Sequence, residues 1–111
     1  MNIPSELRYS TDHEWVRVDG DTVTIGITEY AQDALGDVVF VELPEPGAAV
    51  TAGATFSEVE STKSVRDIYA PVSGSISEVN EVLDSQPELL NRDTYGEGWI
   101  CRITMTDATE L

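Results

Sequence analysis

The chain contains a single lysine, Lys63, and this primary amine is the side chain with the clearest chemical potential. It stands in 111 residues that hold 6 Lys plus Arg against 21 Asp plus Glu. Strand-like runs over residues 55–59 and 65–70 flank it, which predicts a hairpin with the lysine at its tip. A modifying enzyme can address a unique amine, and a hairpin tip would hold an attached group clear of the fold. Composition alone favours an ordinary surface lysine, and the surrounding sequence decides between the two interpretations.

The other reactive side chains do not form a catalytic or metal-binding constellation. Cys101 is the only cysteine and His13 the only histidine, which excludes an intrachain disulfide and the usual zinc spacings. In its apolar surroundings Cys101 is expected to be a small buried hydrophobe rather than a nucleophile. Trp15 and Trp99 are expected in the core rather than as a cofactor platform. With neither a Gly-rich phosphate loop nor a convincing Ser/His/Asp arrangement, we do not expect a self-contained enzyme.

The composition indicates one acidic globular domain. Hydrophobic residues make up 41% of the chain, enough for a core of modest size. The formal net charge of −15 argues against nucleic acid, because phosphate binding needs clustered Lys and Arg. The charge favours partners with basic surfaces, or serves solubility alone. No apolar run approaches the roughly 20 residues that span a bilayer, and signal-peptide features are missing. We therefore expect a cytoplasmic protein, or an already processed one, without membrane contact.

Short strands and one helix are predicted in the N-terminal half. Residues 14–18 and 22–27 alternate apolar and polar side chains, which predicts a hairpin. Thr28 is placed to cap a helix over residues 29–35, and Gly36 is placed to end that helix in a left-handed cap.

The middle of the chain predicts further strands and a weak internal repeat. Residues 37–43 form an almost continuous apolar run, which predicts a strand buried on both faces. Two glycines bracket residues 47–53, which predicts tight turns around one short buried element. The four residues 56–59, Phe-Ser-Glu-Val, return as Ile-Ser-Glu-Val at 76–79. Similar halves on either side of the Lys63 hairpin would suggest a sandwich with pseudo-twofold symmetry.

The C-terminal part predicts a short helix and a last strand. Ser85 and the glutamate three residues later have the spacing of a capping box, with the helix ending near Asn91. A strand is predicted from Trp99, and residues 107–110 resemble a helix start just before the sequence ends.

Taken together, these segments resemble the glycine cleavage H-protein family, the lipoyl carriers. The resemblance covers about residues 7–103 and rests on the number, order and spacing of its pieces rather than on any one of them. The matching segments are Tyr9 to Val18 with His13-Glu14-Trp15, Gly26-Ile27-Thr28, Ala31-Gln32-Asp33, Gly36-Asp37-Val38-Val39-Phe40-Val41-Glu42-Leu43-Pro44, Glu60-Ser61-Thr62-Lys63-Ser64, Pro71-Val72-Ser73-Gly74, Glu78-Val79-Asn80, and Tyr95-Gly96 with Gly98-Trp99.

The resemblance implies a fold and a function. The fold is mainly β, a barrel-sandwich hybrid of two small antiparallel sheets with pseudo-twofold symmetry and two or three short helices. Residues 1–111 would form one lipoyl-carrier domain that lacks or truncates a C-terminal helix. Lipoate in amide linkage on Lys63 would shuttle an aminomethyl group from glycine decarboxylase to the aminomethyltransferase, with reoxidation by dihydrolipoamide dehydrogenase. A lipoate ligase or lipoyl transferase would attach it, and the carrier would be a non-catalytic monomer.

Further residues acquire roles only through the resemblance. Glu14 and Asp67, with Asp12 as an addition in this chain, would shelter the loaded arm, because carboxylates attract a protonated aminomethyl group. The residues just before the lysine would contribute to recognition by the attaching enzyme; they are Glu60, Ser61 and Thr62.

Other functions remain open at this point. A carrier could also relay lipoate to other lipoyl proteins. Biotin carriage belongs to a different class, and the side chains flanking Lys63 disfavour it, since biotin carriers typically have Met there whereas Thr62 and Ser64 stand here. An interaction module with an unmodified lysine is the third alternative.

Overall fold

The computed structural model describes residues 7–10 and 13–106. These residues form nine strands, arranged in two sheets, and three short helices. One sheet has six strands in the order β1-β2-β3-β9-β8-β5, and the other has three in the order β4-β6-β7. Every strand pair is antiparallel. This confirms the predicted mainly β fold with two antiparallel sheets. The elements are β1 Arg8–Tyr9, β2 Glu14–Asp19, β3 Thr22–Ile27, α1 Glu29–Leu35, β4 Val38–Glu42, β5 Ala49–Val50, β6 Thr55–Ser61, β7 Val65–Tyr69, β8 Gly74–Val79, α2 Val82–Ser85, α3 Leu89–Arg92 and β9 Cys101–Met105.

The predicted β2–β3 hairpin and the helix α1 are both present. Thr28 caps α1, because its Oγ1 accepts a hydrogen bond from the Ala31 N–H at 3.2 Å. Gly36 follows α1 with φ 83° and ψ −151°. Its positive φ agrees with the prediction, but this ψ lies outside the left-handed helical region and in one that only glycine adopts readily. A glycine is therefore required at the position that ends α1.

Strand β4 corrects the prediction of burial on both faces. Val39 is 53% exposed and Phe40 is 46% exposed. β4 is an edge strand of the three-stranded sheet, and a register shift between Val38 and Phe40 interrupts its alternation. In this apolar run Val38 and Val41 are buried, whereas Val39 and Phe40 are exposed to solvent. The prediction that the short element within residues 47–53 is buried is also wrong, because Ala49 in β5 is exposed.

The repeated tetrapeptides lie on strands of different sheets, β6 and β8. In the first copy Ser57 and Val59 are buried, whereas in the second copy Ile76 is buried and Ser77 is exposed. The two copies therefore differ in the burial of their serine, although the apolar residues at both ends of each copy pack against the core. Similar letters here do not mean equivalent positions, and the pseudo-twofold symmetry itself stays a prediction.

The capping box at Ser85 is wrong. Ser85 ends α2 instead, and its Oγ donates to the Val82 carbonyl at 3.3 Å. The helix α3 begins after Glu88, which makes no side-chain cap bond. The last strand starts at Cys101 rather than Trp99. The predicted helix start at residues 107–110 lies outside the described residues.

The core lies between the two sheets and under the short helices. Its largest fully buried side chains include Trp15, whose indole N–H donates to the Thr94 carbonyl at 2.9 Å. Gly26 is opposite Trp15, and a Cβ there would lie 2.5 Å from the indole. Cys101 is fully buried in this core, as predicted, and burial raises the pKa of its thiol to about 12. The thiol is therefore neutral at pH 7 and serves packing.

Candidate functional site

Lys63 lies at the tip of the β6–β7 hairpin, as predicted, and its side chain is exposed. The tip is closed by Ser61. Its Oγ accepts from the N–H groups of Lys63 at 3.1 Å and Ser64 at 3.0 Å, and donates to the Ser64 carbonyl at 3.1 Å. The Ser61 N–H donates to the same carbonyl at 2.8 Å. These bonds hold the backbone in one tight turn. The side chain of Lys63 therefore extends from a fixed backbone position.

The hairpin tip rests on the connection between α1 and β4. The Thr62 N–H donates to the Asp37 carbonyl at 3.1 Å. The aliphatic stem of Lys63 lies over Gly36, since a Cβ built on that glycine would be 2.8 Å from Cε and 3.5 Å from Nζ. Thus a backbone contact and a side-chain contact both fix the tip against residues 36–37.

Asn91 holds that connection in turn, and the sequence analysis assigned it no role in the site. Its Nδ2 group donates to the Gly36 carbonyl at 2.8 Å and to Gln32 Oε1 at 2.7 Å. Its Oδ1 accepts from the Val38 N–H at 2.8 Å. These partners are 53 to 59 positions away along the chain. The only local signal was an asparagine near the predicted end of a helix, which also fits an ordinary helix end.

Glu14 is 1% exposed, and its side-chain carboxylate accepts a hydrogen bond from a backbone N–H group. Its Oε2 accepts from the Tyr69 N–H at 2.8 Å, and its Oε1 accepts from Ser10 Oγ at 2.9 Å. Tyr69 is the last residue of β7, the strand that begins two residues after Lys63. The carboxylate therefore anchors the end of β7 that is remote from the lysine, about 20 Å along the strand at roughly 3.3 Å per residue.

Asp67 is exposed in the middle of β7, between Lys63 and the strand end that Glu14 holds. It is paired across the sheet with Glu58, which is paired with Glu42 on β4. Directly paired residues share one face of an antiparallel sheet. Three carboxylates consequently form one row across the outer face of the three-stranded sheet. Asp12, the third predicted shelter residue, lies outside the described residues.

The residues before the lysine also have defined positions. Glu60 is exposed on that outer face, paired with Phe40 on one side and Val65 on the other. Ser61 is half-buried by its place in the turn, and Thr62 is exposed. All three of the predicted recognition residues, Glu60 to Thr62, are thus adjacent to Lys63.

The two tryptophans differ in their environment. Trp15 belongs to the core, as predicted, whereas Trp99 is half-buried with the Arg102 guanidinium 4.1 Å from the centre of its ring. Trp99 is therefore a platform for an arginine within the fold.

The chemistry open to this arrangement is narrow. No group of three or more His, Cys, Asp or Glu within residues 7–10 and 13–106 could hold a metal ion. The buried Cys101 thiol is protonated, as given above, and cannot serve as a nucleophile. Among the helices described, none is long and apolar enough to cross a membrane. What the geometry offers is the one lysine of the chain, exposed on a hydrogen-bonded hairpin tip and suited to carrying a covalently attached group.

Known proteins of one family resemble this chain both in sequence and in structure. A family profile described as "Glycine cleavage H-protein" matches residues 7–111. The glycine cleavage system H protein of Mycobacterium tuberculosis is 64% identical over 103 residues, covering 92% of this chain and 77% of that protein. That of Beutenbergia cavernae is 54% identical over 111 residues, covering 100% and 90%. The crystal structure of a glycine cleavage system H protein from Mycobacterium marinum superposes with a TM-score of 0.89 at 46% identity, covering 94% of this chain and 87% of that one.

Proposed function

The chain belongs to the glycine cleavage H-protein family, and from that premise we propose that it carries lipoate in amide linkage on Lys63. Its role lies in the glycine cleavage system. The observation that carries the proposal is the position of the only lysine, exposed at the tip of a hairpin that Ser61 closes. The 111 residues would act as one carrier domain, without catalytic groups of its own, in the cytoplasm.

The residues around Lys63 fit an attached lipoyl group. Gly36 leaves room for the lysine stem, because a side chain at this position would meet Cε at 2.8 Å. The amine is exposed and so accessible to an attaching enzyme, a lipoate ligase or lipoyl transferase. Glu60, Ser61 and Thr62 are the surface that such an enzyme would meet first.

The dithiolane of the attached group would supply the sulfur that accepts the aminomethyl group and the redox couple that is later reset. In this proposal the chain's partners are glycine decarboxylase, the aminomethyltransferase and dihydrolipoamide dehydrogenase. The contribution of the chain is attachment and orientation, because a tether replaces free diffusion by a high effective concentration at each partner.

An acidic residue on β7 and another bonded to its far end support a sheltering role for the chain. Asp67 offers an exposed carboxylate between the lysine and the far end of the strand. Glu14 would contribute through its hold on the Tyr69 N–H at the far end of β7. Asp12 would add negative charge. A cationic cargo near these groups is stabilised more strongly once water is excluded.

Moving the lysine tests the proposal. The Lys63→Arg variant should fold normally and take no lipoate from a purified lipoate ligase with lipoate and ATP. A matched control, Lys63→Arg combined with Arg66→Lys, keeps one lysine but places it three residues along β7. We expect this control to remain unmodified as well, because the amine is no longer at the tip. Lipoate found on the Lys63→Arg variant would contradict the proposal.

The mass of the modification separates the alternative classes. Intact mass after incubation with lipoate ligase should rise by one lipoyl group in the wild-type chain. Biotin ligase with biotin and ATP should leave the mass unchanged. A biotinyl adduct on Lys63 would instead place the chain among carboxylase carriers.

A further inference from the structure

Asn91 is connected to the lysine tip through a short, continuous set of contacts. It bonds the backbone at Gly36 and Val38, on both sides of Asp37. The carbonyl of Asp37 accepts from the Thr62 N–H, and Gly36 supports the stem of Lys63. One side chain on α3 thereby fixes the three residues on which the hairpin tip rests.

The amide of Asn91 suits this task better than any isosteric side chain. Its Nδ2 group makes two donations and its Oδ1 accepts one hydrogen bond. Aspartate would keep the acceptor for the Val38 N–H but would place an acceptor against the Gly36 carbonyl and Gln32 Oε1. Leucine would leave all three partners without the bond, at a half-buried position where unpaired polar groups are costly.

We infer that Asn91 is a positioning residue for Lys63: by fixing residues 36–38 it sets where the hairpin tip presents the lysine to the attaching enzyme. The inference rests on the proposed function as far as lipoate is concerned. Its structural part, the link from Asn91 to the Thr62 N–H, can be tested without lipoate. The side-chain hydrogen bonds of Asn91 go to Gln32, Gly36 and Val38 and not to the Lys63 amine, so its effect passes through the backbone it holds.

Asn80 provides a matched control. It is a buried asparagine whose Nδ2 group also makes two donations, to the Glu97 carbonyl at 2.7 Å and the Trp99 carbonyl at 2.8 Å. None of these partners belongs to the hairpin or to residues 36–38. Asn80→Ala thus removes comparable hydrogen bonds from a different part of the fold.

The kinetic test measures kcat/KM for lipoate attachment by a purified ligase, at a temperature where all variants are folded by circular dichroism. Asn91→Ala should lower kcat/KM about tenfold, because small misplacements of a reacting group are costly. Asn80→Ala should stay within about twofold of the wild type. If Asn91→Ala is too unstable to purify, Asn91→Asp keeps the acceptor for the Val38 N–H, replaces the two donations by repulsive contacts and should show the same direction of change. Wild-type kinetics for both Asn91 variants would overturn the inference and leave the proposed function intact.

The second test is hydrogen exchange of single backbone amides by NMR. In Asn91→Ala the Thr62 N–H should lose protection by about tenfold or more, since local opening of residues 36–38 exposes it. The Ser61 N–H, bonded within the turn to the Ser64 carbonyl, should keep its protection. Unchanged protection of Thr62 would overturn the positional link, even if the wild-type chain took no lipoate and the proposed function had failed.

Discussion

At the scale of single residues, the sequence and the structure agree best where a residue is unique and its role is local. Lys63 was recognised as a hairpin tip because the strand-like runs on both sides are contiguous with it. The role of Ser61 in closing the tip is equally local, since its partners lie two and three residues away. Glu14 was expected as a shelter for cationic cargo. The structure adds a backbone partner, the Tyr69 N–H, that is 55 positions distant.

Glu14→Gln should destabilise the fold through that backbone contact. The carboxylate accepts from the Tyr69 N–H and from the Ser10 hydroxyl, and an amide would turn one acceptor position into a donor. We expect a loss of about 1–3 kcal/mol in the free energy of unfolding, the usual cost of an unpaired buried polar group. Urea denaturation at pH 7 measures it.

Glu81→Gln is the matched control for this substitution. Glu81 is exposed ahead of α2, so the same chemical change should alter the free energy of unfolding by no more than about 0.5 kcal/mol. Equal stabilities of the Glu14 and Glu81 variants would show that the Glu14 contacts contribute little.

At the scale of elements, local patterns predicted most strands, the helix α1 and the hairpin tip. The predictions that failed concern properties set by the packing of distant segments. The exposure of Val39 and Phe40 follows from the edge position of β4, which its own sequence does not encode. Asn91 could not be assigned for the same reason, since its partners are joined to it only by the packing of α3 against α1. The Ser85 capping box failed because α2 ends at this serine.

The outer face of the three-stranded sheet makes a prediction about charge. Glu58 lies between Glu42 and Asp67, and like charges directly opposite each other are destabilising. Glu58→Lys converts two repulsive pairs into two attractive pairs. The free energy of unfolding should therefore rise by about 1 kcal/mol at low ionic strength and by less in 1 M salt.

The control for this element is Asp19→Lys on β2. Asp19 is exposed and paired with the neutral Thr22, so the substitution changes the net charge equally without a carboxylate directly opposite. A larger stabilisation by Asp19→Lys than by Glu58→Lys would mean that net charge, rather than the carboxylate row, limits stability.

At the scale of the whole molecule, the chain is compact and strongly acidic. Its Cα radius of gyration is 12.7 Å, and its formal net charge is −15. About 13 Å is typical of a domain near this length. The two sheets enclose the apolar side chains, and the hairpin that carries Lys63 belongs to the smaller one. The architecture thus places the only lysine on a hairpin whose two strands are anchored in the core by Val59 and Ile68.

The buried thiol makes the stability of the whole fold depend on pH in alkaline solution. Folding raises the pKa of Cys101 to about 12, so the native state holds its proton where the unfolded state has lost it. This contribution is fully present below the unfolded pKa and declines as pH rises from about 9 towards 12. Relative to Cys101→Ala, the wild type should lose up to about 1.4 kcal/mol of stability per pH unit in that window. Urea denaturation from pH 8 to 10.5 measures the difference, and parallel pH profiles of the two proteins would contradict it.

The central claim is that Lys63 carries lipoate, and peptide mass spectrometry of the protein at native expression in its own cells tests it most directly. Native expression matters, because overproduction could exceed the capacity of the attaching enzyme. We expect a lipoyl mass on the peptide that contains Lys63. A bare lysine in cells whose other lipoyl proteins are modified would contradict the account and would favour an interaction module with an unmodified lysine.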